Sequence, residues 1–211
     1  WVKRLTLTSI LFCVAVWITV TLSGDDEYQQ KATQLTINDV TGLNPVPVRQ
    51  IVKPTTTQEV VDAILTSEGP ISIGGGKFSQ GGQTAKEHSL HLDMRGFNKV
   101  LNFSKEEKEI TVQTGITWRD LQKHIDPADL SVKIMQTYAN FTVGGSLSVN
   151  CHGRYVGLGP MVMSVRAIRV VLHDGSVVEA TRTQRPELFF GVIGGYGALG
   201  IVVEIELDLV E

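Results

Sequence analysis

Apolar and polar residues follow three patterns along the chain: an uncharged N-terminal block, helix-period stripes and strand-period alternation. The block, Leu5 to Leu22, is eighteen residues without a charge. As a helix it would reach about 27 Å, close to the thickness of a bilayer core. Lys3-Arg4 before it and Asp25-Asp26-Glu27 after it predict that its N-terminal end stays in the cytoplasm while the remainder of the chain crosses. Thr21-Leu22-Ser23 also offers the small residues that a signal peptidase requires. Residues 1–23 are therefore expected to be a transmembrane anchor or a secretory signal, and residues 24–44 a linker. The folded domain, residues 45–211, is expected outside the cytoplasm, anchored to the membrane or secreted. Trp1 is not an initiator methionine, so a longer natural chain is expected.

Beyond the linker the two periods alternate. Val48–Lys53 predicts a short strand ended by Pro54, and Thr56-Thr57-Gln58-Glu59 is a capping box that opens a helix. Val60, Val61, Ile64 and Leu65 are predicted on its apolar face, with Gly69-Pro70 stopping it. Strands are predicted at Ile71–Ile73, Ser89–Asp93, Lys99–Phe103 and Glu109–Thr114, and a second helix with Leu121 and Ile125 comes after Thr117. Val165–Leu172 and Val177–Ala180 read as a hairpin with a two-residue Asp174-Gly175 turn. Pro186–Ile193 reads as a helix, and Ile201–Val210 alternates as a half-exposed strand. Early helix–strand alternation followed by a run of strands predicts an α+β fold of two layered subdomains, not one doubly wound sheet.

Composition narrows the functional classes. The chain is 42% hydrophobic and 19% charged, with 19 basic against 22 acidic residues and no Lys/Arg block, so it is a folded protein without a nucleic-acid footprint. Two cysteines, one of them in the N-terminal block, exclude a disulfide framework. Glycine is more telling, because fifteen of the 21 fall within 74–82, 144–159 and 191–200. Each cluster abuts an apolar run, which predicts loops at strand ends where the backbone approaches something closely.

Several motifs fail on context. Gly195-Tyr196-Gly197-Ala198-Leu199-Gly200 fits G-x-G-x-x-G, but a helix is predicted before it and a strand after, the reverse of a dinucleotide fingerprint. Gly76 and Gly81 have phosphate-loop spacing, yet Gly82 stands where a lysine is required. His88 and His91, three apart on a strand, point to opposite faces and do not pair as metal ligands. Cys151-His152 resembles a nucleophile with its base, although adjacent side chains on extended backbone diverge, and a buried cysteine is the plainer reading.

Two segments remain. In Ile71–Gln83 successive glycines at positive φ would turn several N–H groups toward one anion such as a pyrophosphate, with Ser79 adding a hydroxyl. Thr142–Gly153 offers the same chemistry with more side-chain donors. Together they would clamp an extended, phosphate-bearing ligand.

The ordered set Ile73-Gly74-Gly75-Gly76-x-x-Ser79, Leu92-Asp93-Met94-Arg95, Val112-Gln113-Thr114-Gly115-x-Thr117-Trp118, Val143-Gly144-Gly145-Ser146-Leu147-Ser148, Asp174-Gly175, Glu187-Leu188-Phe189 and Gly200-Ile201-Val202-x-Glu204 resembles the FAD-binding domain of vanillyl-alcohol oxidase (p-cresol methylhydroxylase-type, PCMH) flavoproteins. The resemblance spans residues 45–211. It implies two α/β subdomains around FAD, preceded here by the hydrophobic N-terminal helix. It also implies cofactor contacts from Gly74, Gly75, Gly76, Lys77, Phe78 and Ser79 in the first loop. Gly144, Gly145, Ser148, Asn150, His152 and Gly153 contribute from the second, with Ile201 near the adenosine. Many members place a flavin-linking histidine directly after the glycines. Lys77-Phe78 stands there in this chain, so FAD is expected to be held non-covalently. A substrate domain is expected beyond Glu211.

By that resemblance the chain is the FAD-binding domain of an oxidoreductase, an oxidase or a dehydrogenase. It would take hydride from a small-molecule alcohol-, sugar- or amine-type donor and pass electrons to oxygen or a redox partner. A membrane-anchored, non-catalytic nucleotide or sugar-phosphate binding module and a hydrolase using Cys151 remain as rivals.

Overall fold

Residues 35–211 are described by a computed structural model, so Leu5–Leu22 and the expected N-terminal helix lie outside the described residues. Among the described residues no helix is long and apolar enough to cross a membrane. Thr36–Glu211 forms one compact unit. It opens with an antiparallel ribbon of β1 (Thr36–Ile37) and β2 (Val46–Pro47).

A small parallel sheet comes next, built from β3 (Gln50–Val52), β4 (Ile71–Gly74) and β5 (Leu90–Asp93) in the order β3-β5-β4. All four residues of central β5 are buried, as a strand paired on both edges and covered on its faces requires. Helix α1 (Thr57–Thr66) connects β3 to β4, and its capping box forms as predicted: Glu59 N–H donates to Thr56 Oγ1 at 3.2 Å, and Thr56 N–H to the Glu59 carboxylate at 3.3 Å. Val60, Val61 and Ala63 are buried, but Leu65 is 60% exposed, against the sequence expectation. At about 100° per residue the buried arc runs from Ala63 through Val60 and Ile64 to Val61, and Leu65 lies just past its edge.

The larger sheet is antiparallel. Strands β6 (Val100–Ser104) and β7 (Glu109–Gln113) lead to helix α2 (Trp118–Ile125), short β8 (Ser131–Val132) and helix α3 (Val143–Ser148). Then come β9 (Val165–Val171), β10 (Val177–Thr181), helix α4 (Pro186–Val192) and β11 (Ile201–Val210), with sheet order β10-β9-β11-β7-β6 and β8 against the end of β11. The β9–β10 loop is wider than the predicted two-residue turn. Leu172 N–H donates to Ser176 O and Gly175 N–H to Leu172 O, with Gly175 at φ +80°.

Strand β11 alternates along its whole length, as predicted. Its inward residues serve two cores: Ile201 and Val203 pack with Val60, Leu92 and Phe97, whereas Ile205, Leu207 and Leu209 pack with Trp118, Leu121 and Ile168. Its outward acids meet arginines of β9, Glu206 and Asp208 at Arg166 and Glu204 at Arg169. The mixed helix and sheet content agrees with the α+β expectation.

Candidate functional site

The first glycine segment leaves β4 at its C-terminal end. Lys77, not a glycine, takes the left-handed conformation there (φ 62°), while Gly74, Gly75 and Gly76 do not, which corrects the expectation of successive positive-φ glycines. A left-handed non-glycine residue costs about 1–2 kcal/mol. The ribbon braces it, since Val40 N–H donates to Lys77 O at 3.0 Å. Among the described residues the amides of Gly76, Lys77, Phe78 and Ser79 donate to no backbone carbonyl. The Phe78 ring covers Gly76 and meets Tyr138 and Phe141 edge-on, at centroid distances of 5.3 and 4.8 Å.

The second segment is not the loop that its glycines suggested. Thr142 caps α3 by accepting the Gly145 amide at 3.2 Å, and residues 143–148 wind into the helix. Thr142 Oγ1 also fills the space that a side chain on Gly75 would need. Gly144 lies against Thr114, donating its amide to Thr114 O at 2.8 Å. The third glycine cluster closes the other end of α3: Gly194 N–H donates to Leu147 O at 2.9 Å and Tyr196 N–H to Ser148 O at 3.2 Å. The glycines thus let two loops and α3 interlock, and the close approach foreseen for a ligand is in part made by protein.

Between these loops lies a cleft of about 300 Å³, at the small end of the range for ligand sites. It is lined by Gly75, Gly76, Lys77, Phe78 and Ser79 on one side and by Gly144, Gly145, Ser148 and Ile201 on the other. Four expected site residues do not line it. Gly74 ends β4 against the buried His91 imidazole; Asn150, left-handed at φ 44°, accepts the Val162 amide at 3.0 Å. His152 is exposed and pairs with Pro160, and Gly153 packs against the Met135 carbonyl. Ser148 lines the cleft, but its hydroxyl proton goes to Gly144 O at 2.9 Å. Thr114, Gln136, Thr142, Ser146 and Tyr196 also line the cleft, although only Thr142 and Ser146 lie in the two glycine segments expected to clamp a ligand and none was among the expected contacts. Thr142 carried a signal, a threonine directly before an apolar residue, whereas Gln136 carried none.

The walls of the cleft fit an anionic, phosphate-bearing ligand. Gly145 is exposed, and a Cβ there would meet only Thr142 Oγ1, at 3.0 Å, so bare backbone faces open space. Burial pushes the Lys77 ammonium below its ordinary pKa, with Asp93 opposing. Burial alone would raise the Asp93 carboxyl, but hydrogen bonds from Arg95 hold it below the usual range. His91 behind the turn is depressed to about 4, by burial and then by the Lys77 charge.

Cys151 and His152 are not brought together as a nucleophile and its base. Cys151 is buried, its thiol is pushed up to about 11 by desolvation, and its Sγ faces Met161 Sδ at 3.9 Å while His152 is exposed. His88 lies before β5 and is exposed, whereas His91 is fully buried. Among the described residues no cluster of His, Cys, Asp or Glu could hold a metal ion.

Residues 48–181 match the family model described as FAD binding domain. The chain belongs to this family. FAD is therefore its cofactor, and the family match carries the PCMH-type resemblance drawn from the ordered motifs. The chain is 27% identical to L-gulonolactone oxidase of Mus musculus over 138 residues, 65% of this chain and 31% of that protein. It is 30% identical to cytokinin dehydrogenase 2 of Arabidopsis thaliana over 140 residues, 66% and 28% of the respective lengths. L-galactono-1,4-lactone dehydrogenase 1, mitochondrial, of Oryza sativa subsp. japonica matches at 25% over 179 residues, 83% and 30%. The chain thus spans about three-tenths of the length of these relatives. Within the FAD-binding family, Lys77 and Phe78 give this chain a cation and an aromatic ring directly after its glycines.

Proposed function

We propose that the chain is the FAD-binding part of an oxidoreductase that holds FAD without a covalent link, in the cleft between the first glycine turn and α3. The observation that carries this reading is that both glycine segments, Gly75–Ser79 and Gly144–Gly145, line one cleft, with bare backbone open to it at Gly145. Lys77 supplies positive charge for the pyrophosphate or for reduced flavin, whose negative charge a partly buried cation favours. The free amides of Gly76–Ser79 and the Ser79 hydroxyl supply donors to phosphate oxygens. Phe78 and Phe141 exclude water from one flank. Held by these residues, FAD would supply hydride acceptance from an alcohol-, sugar- or amine-type carbon and electron transfer to oxygen or a redox partner. The relatives named as oxidases and dehydrogenases support that class of reaction. The Leu5–Leu22 block supports a location at or beyond a membrane.

The purified chain is expected to show flavin absorption bands. Acid precipitation is expected to leave the flavin in the supernatant, since Lys77-Phe78 stands where a linking histidine would be. A colourless protein that retains a nucleotide would favour the non-catalytic binding module, and flavin that travels with the denatured polypeptide would overturn the non-covalent reading.

A further inference from the structure

Under the cleft three side chains form a hydrogen-bond chain whose direction is set by one donor-only group. Trp118 is fully buried, and an indole N–H can donate but never accept. Its Nε1 lies 2.9 Å from Ser146 Oγ and 3.3 Å from Gln136 Oε1, so both oxygens accept from it. The Ser146 hydroxyl then spends its own proton on Gln136 Oε1. The carboxamide oxygen of Gln136 is therefore engaged twice on the buried side, which turns its nitrogen the other way. Among the described residues the one buried side-chain atom left unpaired is His91 Nε2. Gln136 Nε2 is thus not sealed in the core, and Gln136 and Ser146 both line the cleft.

We propose that Gln136 presents its Nε2 hydrogens to the cleft as a ligand-orienting donor, held in that sense by Ser146 and Trp118 as positioning residues. The inference rests on the reading of this cleft as the FAD site. Such a group selects a ligand atom that only accepts: a ring carbonyl or ring nitrogen lone pair of the flavin, or a pyrophosphate oxygen. A ligand hydroxyl or amine seeking an acceptor finds none at this place, because Oε1 is already taken.

The test is titration of FAD into the full-length apoprotein, monitored by flavin fluorescence, with apoprotein melting recorded alongside. Gln136→Met keeps the volume and removes the donor, and is expected to weaken FAD about tenfold. Gln136→Glu keeps the shape but offers an acceptor charge. Its affinity relative to wild type is expected to be lowest at pH 8 and to recover toward pH 5, where the new carboxyl can donate; a merely structural role for Gln136 would give no such profile. Ser146→Ala removes one of the two donors to Oε1 and leaves only the longer Trp118 contact to hold the carboxamide, so it is expected to fall between wild type and Gln136→Met. Competition by ADP or by riboflavin separates the two sources of acceptor. A Gln136→Met effect on ADP alone assigns the pyrophosphate, and on riboflavin alone the ring. Should Gln136→Glu fail to fold, Gln136→Met and Ser146→Ala still decide the matter. Wild-type affinity in Gln136→Met overturns the inference alone, whereas a wild-type chain that takes up no FAD overturns the FAD reading and the inference with it.

Discussion

Thr142 Oγ1 stands in the space that a side chain on Gly75 would occupy, while it accepts the Gly145 amide at 3.2 Å. One hydroxyl thus caps a helix and sets the gap between two loops that are distant in sequence. Gly75→Ala is expected to displace this cap, with a loss of about 1–3 kcal/mol in stability and of FAD affinity. Thr142→Ala removes the cap oxygen at a cost of about 1 kcal/mol and makes room for the new methyl group. The double variant is therefore expected to lose less than the sum of the two. Urea denaturation of the four proteins measures this coupling, and strict additivity would show that the two residues do not interact.

Gly145 separates binding from folding. A side chain there meets little protein and enters the cleft, so Gly145→Val is expected to abolish FAD binding while the apoprotein keeps most of its secondary structure. Circular dichroism together with FAD titration checks both halves. Unchanged affinity would remove this face of α3 from the site.

Cys151 is expected to resist alkylation in the folded protein. With its thiol at about 11, roughly one molecule in a thousand carries a thiolate at pH 8. Peptide mapping after iodoacetamide should find this residue modified slowly in native protein and promptly in urea. Rapid native labelling, or hydrolysis that labelling abolishes, would reinstate the thiol as a functional group.

His91 makes stability depend on pH. Its folded imidazole titrates at about 4, against about 6.5 in an unfolded chain. As pH falls from about 6.5 to 4 the unfolded state binds a proton that the folded state refuses, so stability declines across that window. Above it this residue contributes no pH dependence. Lys77, Asp93 and Arg95 act on the ring through their charges, which stay fixed or nearly so over most of the range. His91→Gln is expected to flatten the urea midpoint between pH 6.5 and 4. An identical slope in both proteins would place the pH dependence elsewhere.

Local signals survived folding intact. The Thr56–Glu59 capping box lies within four residues, and the alternation of Ile201–Val210 needs only a strand with one face on a core. What the sequence did not reveal depends on partners far along the chain. Gly144-Gly145 reads as a loop because glycine is a poor helix former, yet Thr142 starts the helix and the amides of Gly194 and Tyr196, some fifty residues later, finish it. The positive φ of Lys77 was assigned to its glycine neighbours, because residue type alone does not show that Val40 holds the Lys77 carbonyl. Nine of the thirteen expected site residues line the cleft, because both glycine segments border it. Gln136 escaped notice because a lone glutamine becomes distinctive only when Trp118 and Ser146 fix which way it turns.

Trp118 is one of three tryptophans, the others being Trp1 and, in the N-terminal block, Trp17; it is fully buried and hydrogen-bonded, directly and through Ser146, to Gln136, which lines the cleft. Its emission should lie to the blue, and an isoalloxazine ring nearby would drain that light by energy transfer. Once Trp1 and Trp17 are replaced by phenylalanine, the indole that orders the cleft floor is thus also an optical gauge of occupancy, readable without labels, substrate or turnover.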